Sequence, residues 1–575
     1  MWTGVFKATR QRLVVEGILL LIFLSSCRMV PEGDAAAKRE TAGGVSVVAV
    51  QYVASVGNVG AETVEVLLRN GTGKQVSFVR AELDGTELPP LKPTAQKALN
   101  AFSFGVGGSK SKRPASPSVS GVRWWQFYPS PAVPAGGCVA FQFNFVERSR
   151  ACDLVLTTAD GRTVLAHIPR YSPPRRRIEY LAFTGDGLTM GLRYSKGAAP
   201  TAVSVNGEPI RCFKTLEAPV AGRPCALVAT LPHQVKEGEG VHVEVSFPDG
   251  VKRSAFIRAM LGVCTVAPNG KSDSELLSEE ERNRYGFDPT MRFLRIPYDV
   301  ACSDKKARSY GSNARPAVAA RMRYNMKNPE GLSGIDFCTG LYPTVWNIYS
   351  QIGDLVISKP YKLHWGRNPQ RFIDEEDAFL ADVVKDVAPR PVVWVPERFR
   401  WLRELDGGEF SLLAWSAIMR GARGIRVHHW LNNRERPFDR NPELADAVRT
   451  FNRDFNRLRP KLERLIPMWC HEKRDSRVSV LEGWCGEEGI LLLVRNLCYD
   501  VGIDPATGRR ERPFSVKRVP TCRFSIPKPT WFQPCGAEDA LSGVAVGMSS
   551  ADGIWSFEIK DLDAWRLVWI SSSLR

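Results

Sequence analysis

Apolar and polar positions fall into three textures along this chain. From Val45 to about Arg170 they alternate in short β-rich runs, VSVVAVQYVAS, ETVEVLLRN, QVSFVRAELDG, CVAFQFNFV and CDLVLTT, separated by Gly, Asn, Asp and Pro. A period of two marks strands with one face in a core, and Asn70-Gly71 and Asp84-Gly85 are turn signals, so a β-sandwich over 45–170 is predicted. Lys92 to Pro117 reads as a long exposed loop and Tyr171 to Arg177 as a Pro/Arg linker. IEYLAFTGDG, LTMGLRYS, TAVSVNGEPI, CALVATLP and VHVEVSFPDG then predict a second sandwich over 177–256.

Near Ile257 strands begin to alternate with helices. Leu261–Val266, Phe293–Pro297, Gly334–Phe337, Leu355–Ser358, Val392–Val395 and Ile425–Val427 read as strands. Several are continuous apolar runs, as expected where both faces are buried. Ser274–Tyr285, Pro316–Met326, Val345–Gln351, Asp374–Val387, a segment opened by Glu409, and Pro442–Leu465 read as helices. Strand, helix, strand at this spacing is a βαβ unit, and the series predicts a compact TIM-type (β/α) barrel over 257–468. Six strands are fewer than the eight of a full barrel of about 250 residues. From Arg477 the texture is all β again, giving a C-terminal β-sandwich over 474–575. The fold class read from the pattern is therefore multidomain β plus α/β: two Ig-like sandwiches, a barrel and a third sandwich.

A length of 575 residues with 44% hydrophobic positions supports several cores. The net charge of +17 is spread out, with Arg175-Arg176-Arg177 the one tight run, and no basic stripe interleaves with aromatics. Nucleic acid is accordingly not expected as a partner, whereas acidic glycans or anionic surfaces are. No GxSxG elbow and no phosphate-binding GxxxxGK[ST] loop occurs. No cofactor is expected. Nor is a metal, because no CxxC occurs and the adjacent His428 and His429 would point to opposite faces of a strand.

The N-terminus carries Lys7, Arg10 and Arg12 before an apolar run from Gly17 to Leu24, too short for a bilayer span of about 20 residues. Residues 1–26 read as a signal peptide. LSSC at Leu24 to Cys27 resembles the bacterial lipobox, which implies lipidation of Cys27, a flexible tether over 27–44, membrane attachment through the lipid, and a place in the cell envelope facing away from the cytoplasm. Setting Cys27 aside, twelve of the 13 cysteines remain. In an oxidising compartment Cys212 with Cys225, and Cys470 with Cys485, are close enough in sequence to bridge hairpins, with buried free thiols as the alternative.

Candidate chemistry gathers at predicted strand ends, where parallel α/β folds bind ligands. Glu397 follows Val392–Val395, Asp299 follows Phe293–Pro297, Asp336 lies in a strand, and His428, His429 and Trp430 follow Ile425–Val427. Tyr361, Trp365 and Trp401 offer rings for stacking on sugar faces, and Arg398 or Lys359 would favour acidic substituents. Glu409 is either a site carboxylate or a helix N-terminal one favoured by the dipole.

PVVW followed by E..LLAW.AI..GARGI...HW, within Pro391 to Trp430, resembles a segment of bacterial glycosidase-like (β/α)8-barrel proteins of the glycoside hydrolase superfamily. That resemblance implies a carbohydrate substrate cleaved between two carboxyl groups. Glu397 is the first candidate, with Asp299 preferred as its partner over Asp336 and Glu409. Familiar retaining members carry an Asn-Glu pair, and none occurs here, so that acid has no counterpart. The rival expectation is a non-catalytic glycan-binding surface lipoprotein that keeps the barrel as a scaffold.

Overall fold

The computed structural model describes residues 44–573 apart from 57–60, 90–121, 147–150, 175, 196, 219–222, 264–265, 269–277, 287–292, 300–313, 339–345, 361, 363–368, 397–404, 428–440, 466–470, 475–476, 505–506 and 508. Two antiparallel sheets form the first sandwich, one of strands 45–56, 61–70, 138–146 and 122–128, the other built on 76–83, 152–158 and 163–168. Burial alternates along Val76–Leu83 and Cys152–Thr158, as the sequence pattern requires. Asp84 and Gly85 both take positive φ in the hairpin turn, at 49° and 74°. Val122–Tyr128 is an additional strand, and its aromatics give no clean two-residue alternation in the sequence.

The second sandwich pairs one sheet of 178–183, 189–194, 223–230 and 213–218 with another of 208–209, 202–205, 240–246 and 252–258. Lys252–Arg258 is its last strand. The change of texture placed near Ile257 therefore falls inside a strand, because only the last residues of that strand are fully buried. Cys212 is exposed, Cys225 and Cys485 are buried, and Cys470 lies outside the described residues. Cys225 packs into the core from its strand while Cys212 faces solvent, so nearness in sequence does not bring these two sulfurs together.

Beyond residue 260 lies one six-stranded sheet, all parallel: β1 (Val266–Pro268), β2 (Phe293–Asp299), β3 (Leu332–Cys338), β4 (Leu355–Lys359), β5 (Val392–Trp394) and β6 (Gly424–Val427). Their order is β1-β6-β5-β4-β3-β2, so the first strand in sequence lies beside the last. The connecting helices are α1 (Glu279–Tyr285), α2 (Ala314–Lys327), α3 (Trp346–Tyr349), α4 (Phe372–Asp386) and α5 (Gly407–Met419), and α6 (Pro442–Leu462) follows β6. Asn441 caps α6 by accepting from Leu444 N at 3.0 Å. Along α6, Leu444, Val448, Phe451, Phe455, Leu458 and Leu462 form the buried stripe that packs on α5. None of the described helices is long and apolar enough to cross a membrane.

The C-terminal unit has a five-stranded and a three-stranded sheet. The run from Ile554 onward is two strands in different sheets, 554–562 and 565–572, and Pro534–Asp539 adds a strand that its Pro and Gly had concealed. No core boundary separates this unit from the helices. One apolar cluster runs from Ile352 and Val383 through Trp415 and Ile418 to Trp484, Leu493 and Val568. Trp484 donates Nε1 to Ile418 O at 2.8 Å. Gly483 sits so close to α5 that a Cβ there would meet Met419 O at 2.8 Å.

Candidate functional site at the carboxyl ends of the parallel strands

Side chains of the parallel sheet alternate between two environments. Ile335, Phe337, Val356, Val392, Trp394 and Ile425 point into the cluster shared with the helices. Leu332, Leu355, Ile357, Val393 and Val395 point the other way and form a separate small cluster with Met260. That second face is just as buried, with Leu355, Ile357, Val393 and Val395 fully enclosed. It is tightly packed at its start, since a Cβ on Gly334 would meet Ile357 Cδ1 at 2.7 Å.

Moving toward the carboxyl ends, the same face changes from apolar to charged. Two residues beyond Gly334 stands Asp336, and two beyond Ile357 stands Lys359; the pair is almost completely buried. Lys359 Nζ donates to Asp336 Oδ2 at 2.9 Å. Arg426, next to the outward-facing Ile425, is buried on this face too. The backbone register sets Asp299, the last residue of β2, opposite Asp336 of β3, after an irregularity beginning at Arg295. Desolvating an ion pair costs several kcal/mol per ion, so a charge pair held inside a wall of Val, Leu and Ile has no evident stability rationale. The lysine gives the Asp336 carboxylate a charge-assisted donor inside this wall.

Glu409 has a different position. Helix α5 begins at Gly407, with Asp406 as N-cap: Gly408 N donates to Asp406 Oδ1 at 2.9 Å, and Glu409 Oε2 accepts from Asp406 N at 2.9 Å. This is a capping box. Arg510 of the C-terminal unit reaches both carboxylates, 3.1 Å from Asp406 and 2.9 Å from Glu409. Glu409, fully buried, thus occupies the helix-terminal role and is bound on two sides.

Glu397, Arg398, Tyr361, Trp365, Trp401, His428, His429, Trp430 and Cys27 lie outside the described residues, and for Asp299 only the backbone is described. The structure therefore brings together Asp336, Lys359 and the backbone of Asp299. Sequence reasoning named Lys359 only as a possible contact for acidic groups and did not pair it with Asp336. The available signal was two charges at matching positions near the ends of two otherwise apolar strands. Among the described residues no group of three or more His, Cys, Asp or Glu is placed to hold a metal ion.

No family model matches this sequence, and no curated protein matches it. Solved structures with some likeness include a bacterial fucosidase bound to a monovalent iminocyclitol inhibitor, 8% identical, covering 54% of this chain and 82% of that one, with a TM-score of 0.23. A Thermotoga maritima alpha-fucosidase is 9% identical over 52% of this chain and 78% of its own, at 0.23. A glycoside hydrolase family 5 protein from Bacteroides vulgatus is 10% identical over 59% and 93%, at 0.25.

Proposed function

We propose that the six parallel strands are the wall of a (β/α) barrel and that the chain is a carbohydrate-active protein cleaving glycosidic bonds at the carboxyl ends of those strands. Support for the barrel comes from the strand order, which sets the first strand beside the last, and from a second sheet face buried against its own side chains. Support for the site comes from one observation: on that face the lining passes from Leu332, Leu355 and Ile357 to the buried Asp336 and Lys359.

In this reading Glu397 and Asp299 are the two carboxyl groups, and Asp336 with Lys359 binds substrate hydroxyls and sets the local charge. The carboxyl ends of β2, which carries Asp299, and β5, which precedes Glu397, are three strand spacings apart along the sheet, roughly 14 Å between backbones. Side chains reaching inward from such a frame can come within the about 5 to 9.5 Å over which the two carboxyls of retaining or inverting glycosidases act. The N-terminal lipid on Cys27 would hold the molecule at the cell envelope. The pairing of Asp336 with Lys359 favours a second reading, in which the face binds a glycan without cleaving it.

A panel of poly- and oligosaccharides assayed for new reducing ends, with wild type and Glu397→Gln, tests the proposal. Wild-type release falling about 10²-fold or more in the variant is the expected result. Equal release by both proteins removes Glu397 from the mechanism, and binding without release by wild type selects the second reading.

A further inference from the structure

Helix α5 joins the parallel strands β5 and β6, so it runs back against them and its first turn lies at their carboxyl ends, the end that carries Asp336 and Lys359. Residues 395–406 lead from β5 into it, and Glu397 is among them. Such connections usually run to about two to six residues, so this longer one depends on how its two ends are held. At the entry Val395 N donates to Ser358 O of β4 at 2.9 Å. At the exit Leu405 is buried, and its carbonyl accepts from Asn441 Nδ2 at 3.4 Å.

The C-terminal unit meets the chain at that exit. Tyr499–Asp500 pairs with Ser515–Val516, and the hairpin between them is braced internally: Gly502 N donates to Asp500 Oδ1 at 2.8 Å, Glu511 N to Gly502 O at 2.8 Å, and Asp504 N to Arg509 O at 2.9 Å. A Cβ on Gly408 would meet Phe514 Cδ1 of this hairpin at 2.5 Å, and one on Gly407 would meet Glu443 O of α6 at 2.7 Å. The first turn of α5 is thus held between α6 and the hairpin. Arg510 completes the hold with one N–H to each carboxylate, Nη1 to Asp406 Oδ2 at 3.1 Å and Nη2 to Glu409 Oε2 at 2.9 Å. The capping box already serves the helix amides, and an enclosed ion pair is a weak source of stability. What the planar fork adds is geometry, because it fixes two carboxylates relative to each other and to a braced hairpin.

We propose that Arg510 is a positioning residue for the site at the carboxyl ends: from the C-terminal unit it fixes the exit of segment 395–406 and so holds the frame in which Glu397 works. The C-terminal sandwich is then a working part of the site as well as a neighbour in the core. This inference rests on the reading of Glu397 given above.

Reducing-end release by wild type, Arg510→Met, Arg510→Lys and Arg512→Gln tests it, on the saccharide of the panel that wild type cleaves and at a temperature where each protein is folded. Amide hydrogen exchange over Leu405–Glu409 is followed alongside. Arg510→Met should lower kcat about 10- to 100-fold with KM changed less than about threefold, and should speed that exchange about tenfold. Arg510→Lys keeps the charge but cannot bridge both carboxylates, so a kcat loss of about three- to tenfold is expected. Arg512, exposed on the same hairpin and paired at 3.0 Å with Asp500, is the control, and Arg512→Gln should stay within about twofold of wild type. Wild-type kcat in either Arg510 variant, a loss confined to KM or to stability, unchanged exchange in Arg510→Met, or an equal kcat loss in Arg512→Gln overturns the inference. No release by wild type overturns the Glu397 reading and this inference with it, whereas release that the Arg510 variants leave intact overturns this inference alone.

Discussion

Asp377 of α4 is a buried carboxylate between two buried guanidiniums, and its replacement by Asn should loosen the attachment of the C-terminal unit. Its Oδ1 accepts from Arg420 Nε at 3.0 Å and its Oδ2 from Arg420 Nη2 at 2.6 Å. Arg495, carried by the C-terminal strand 489–496, approaches Oδ2 at 3.1 Å. Burial pushes this carboxyl up, but Arg495 and Arg420 outweigh it and hold the pKa at about 2. Against an ordinary value near 3.8, that difference corresponds to about 2 kcal/mol favouring the ionised acid in the fold. The amide of Asp377→Asn would keep the volume but remove the carboxylate charge that Arg420 and Arg495 share, and breaking a buried ion pair on one side usually costs about 3 to 5 kcal/mol. Urea unfolding followed by fluorescence suits the measurement, because Trp415 and Trp484 lie in the same core. The unfolded chain binds the extra proton as pH falls, so the wild-type contribution is complete above about pH 4 and lost as pH falls through about 2. Asp377→Asn should lack that component of the acid slope. A variant within about 0.5 kcal/mol of wild type, or one with an unchanged slope between pH 4 and 2, would refute the account.

Other outcomes follow from the same geometry. His242 is buried, and burial first, then Arg69, lowers its pKa from 6.5 to about 4. Its contribution, up to about 3 kcal/mol, should be complete above about pH 6.5 and lost as pH falls through about 4, a slope that His242→Gln removes in thermal melts. Tyr128→Phe deletes a hydroxyl that donates to Asp354 at 2.7 Å and accepts from Arg390 at 2.7 Å, joining the first sandwich to the parallel sheet. Denaturant unfolding should show a loss of about 2 to 3 kcal/mol, and a neutral result would mean those partners repair themselves. Glu409→Ala removes half of a capping box and one Arg510 contact, so about 2 kcal/mol should go from stability, read in the same unfolding curves.

Much of the architecture is legible in the residue pattern, for a physical reason. Strands with one wet face alternate, strands buried on both faces do not, and helices carry a stripe at 3.6 residues. Those local rules locate five of the six parallel strands to within a few residues; the first, expected at Leu261–Val266, lies at Val266–Pro268 and shares one residue with that expectation. They fail where the local signal is weak: Val122–Tyr128 has no clean alternation, and Pro534–Asp539 carries Pro and Gly. The sequence could also show that Glu409 opens a helix, since a carboxylate in the first turn is favoured there. It could not show Arg510 arriving from a hundred residues away to hold it.

Residue order alone dictates which stretches form strands and helices and that the parallel strands are too apolar to face water. Packing in three dimensions settles the rest, because side-chain partners are chosen by strand order and domain contact, not by distance along the chain. Asp336 and Lys359 become a pair only because β3 and β4 are neighbours in register. Asp377 has its low pKa only because a strand from the C-terminal unit brings Arg495 against it.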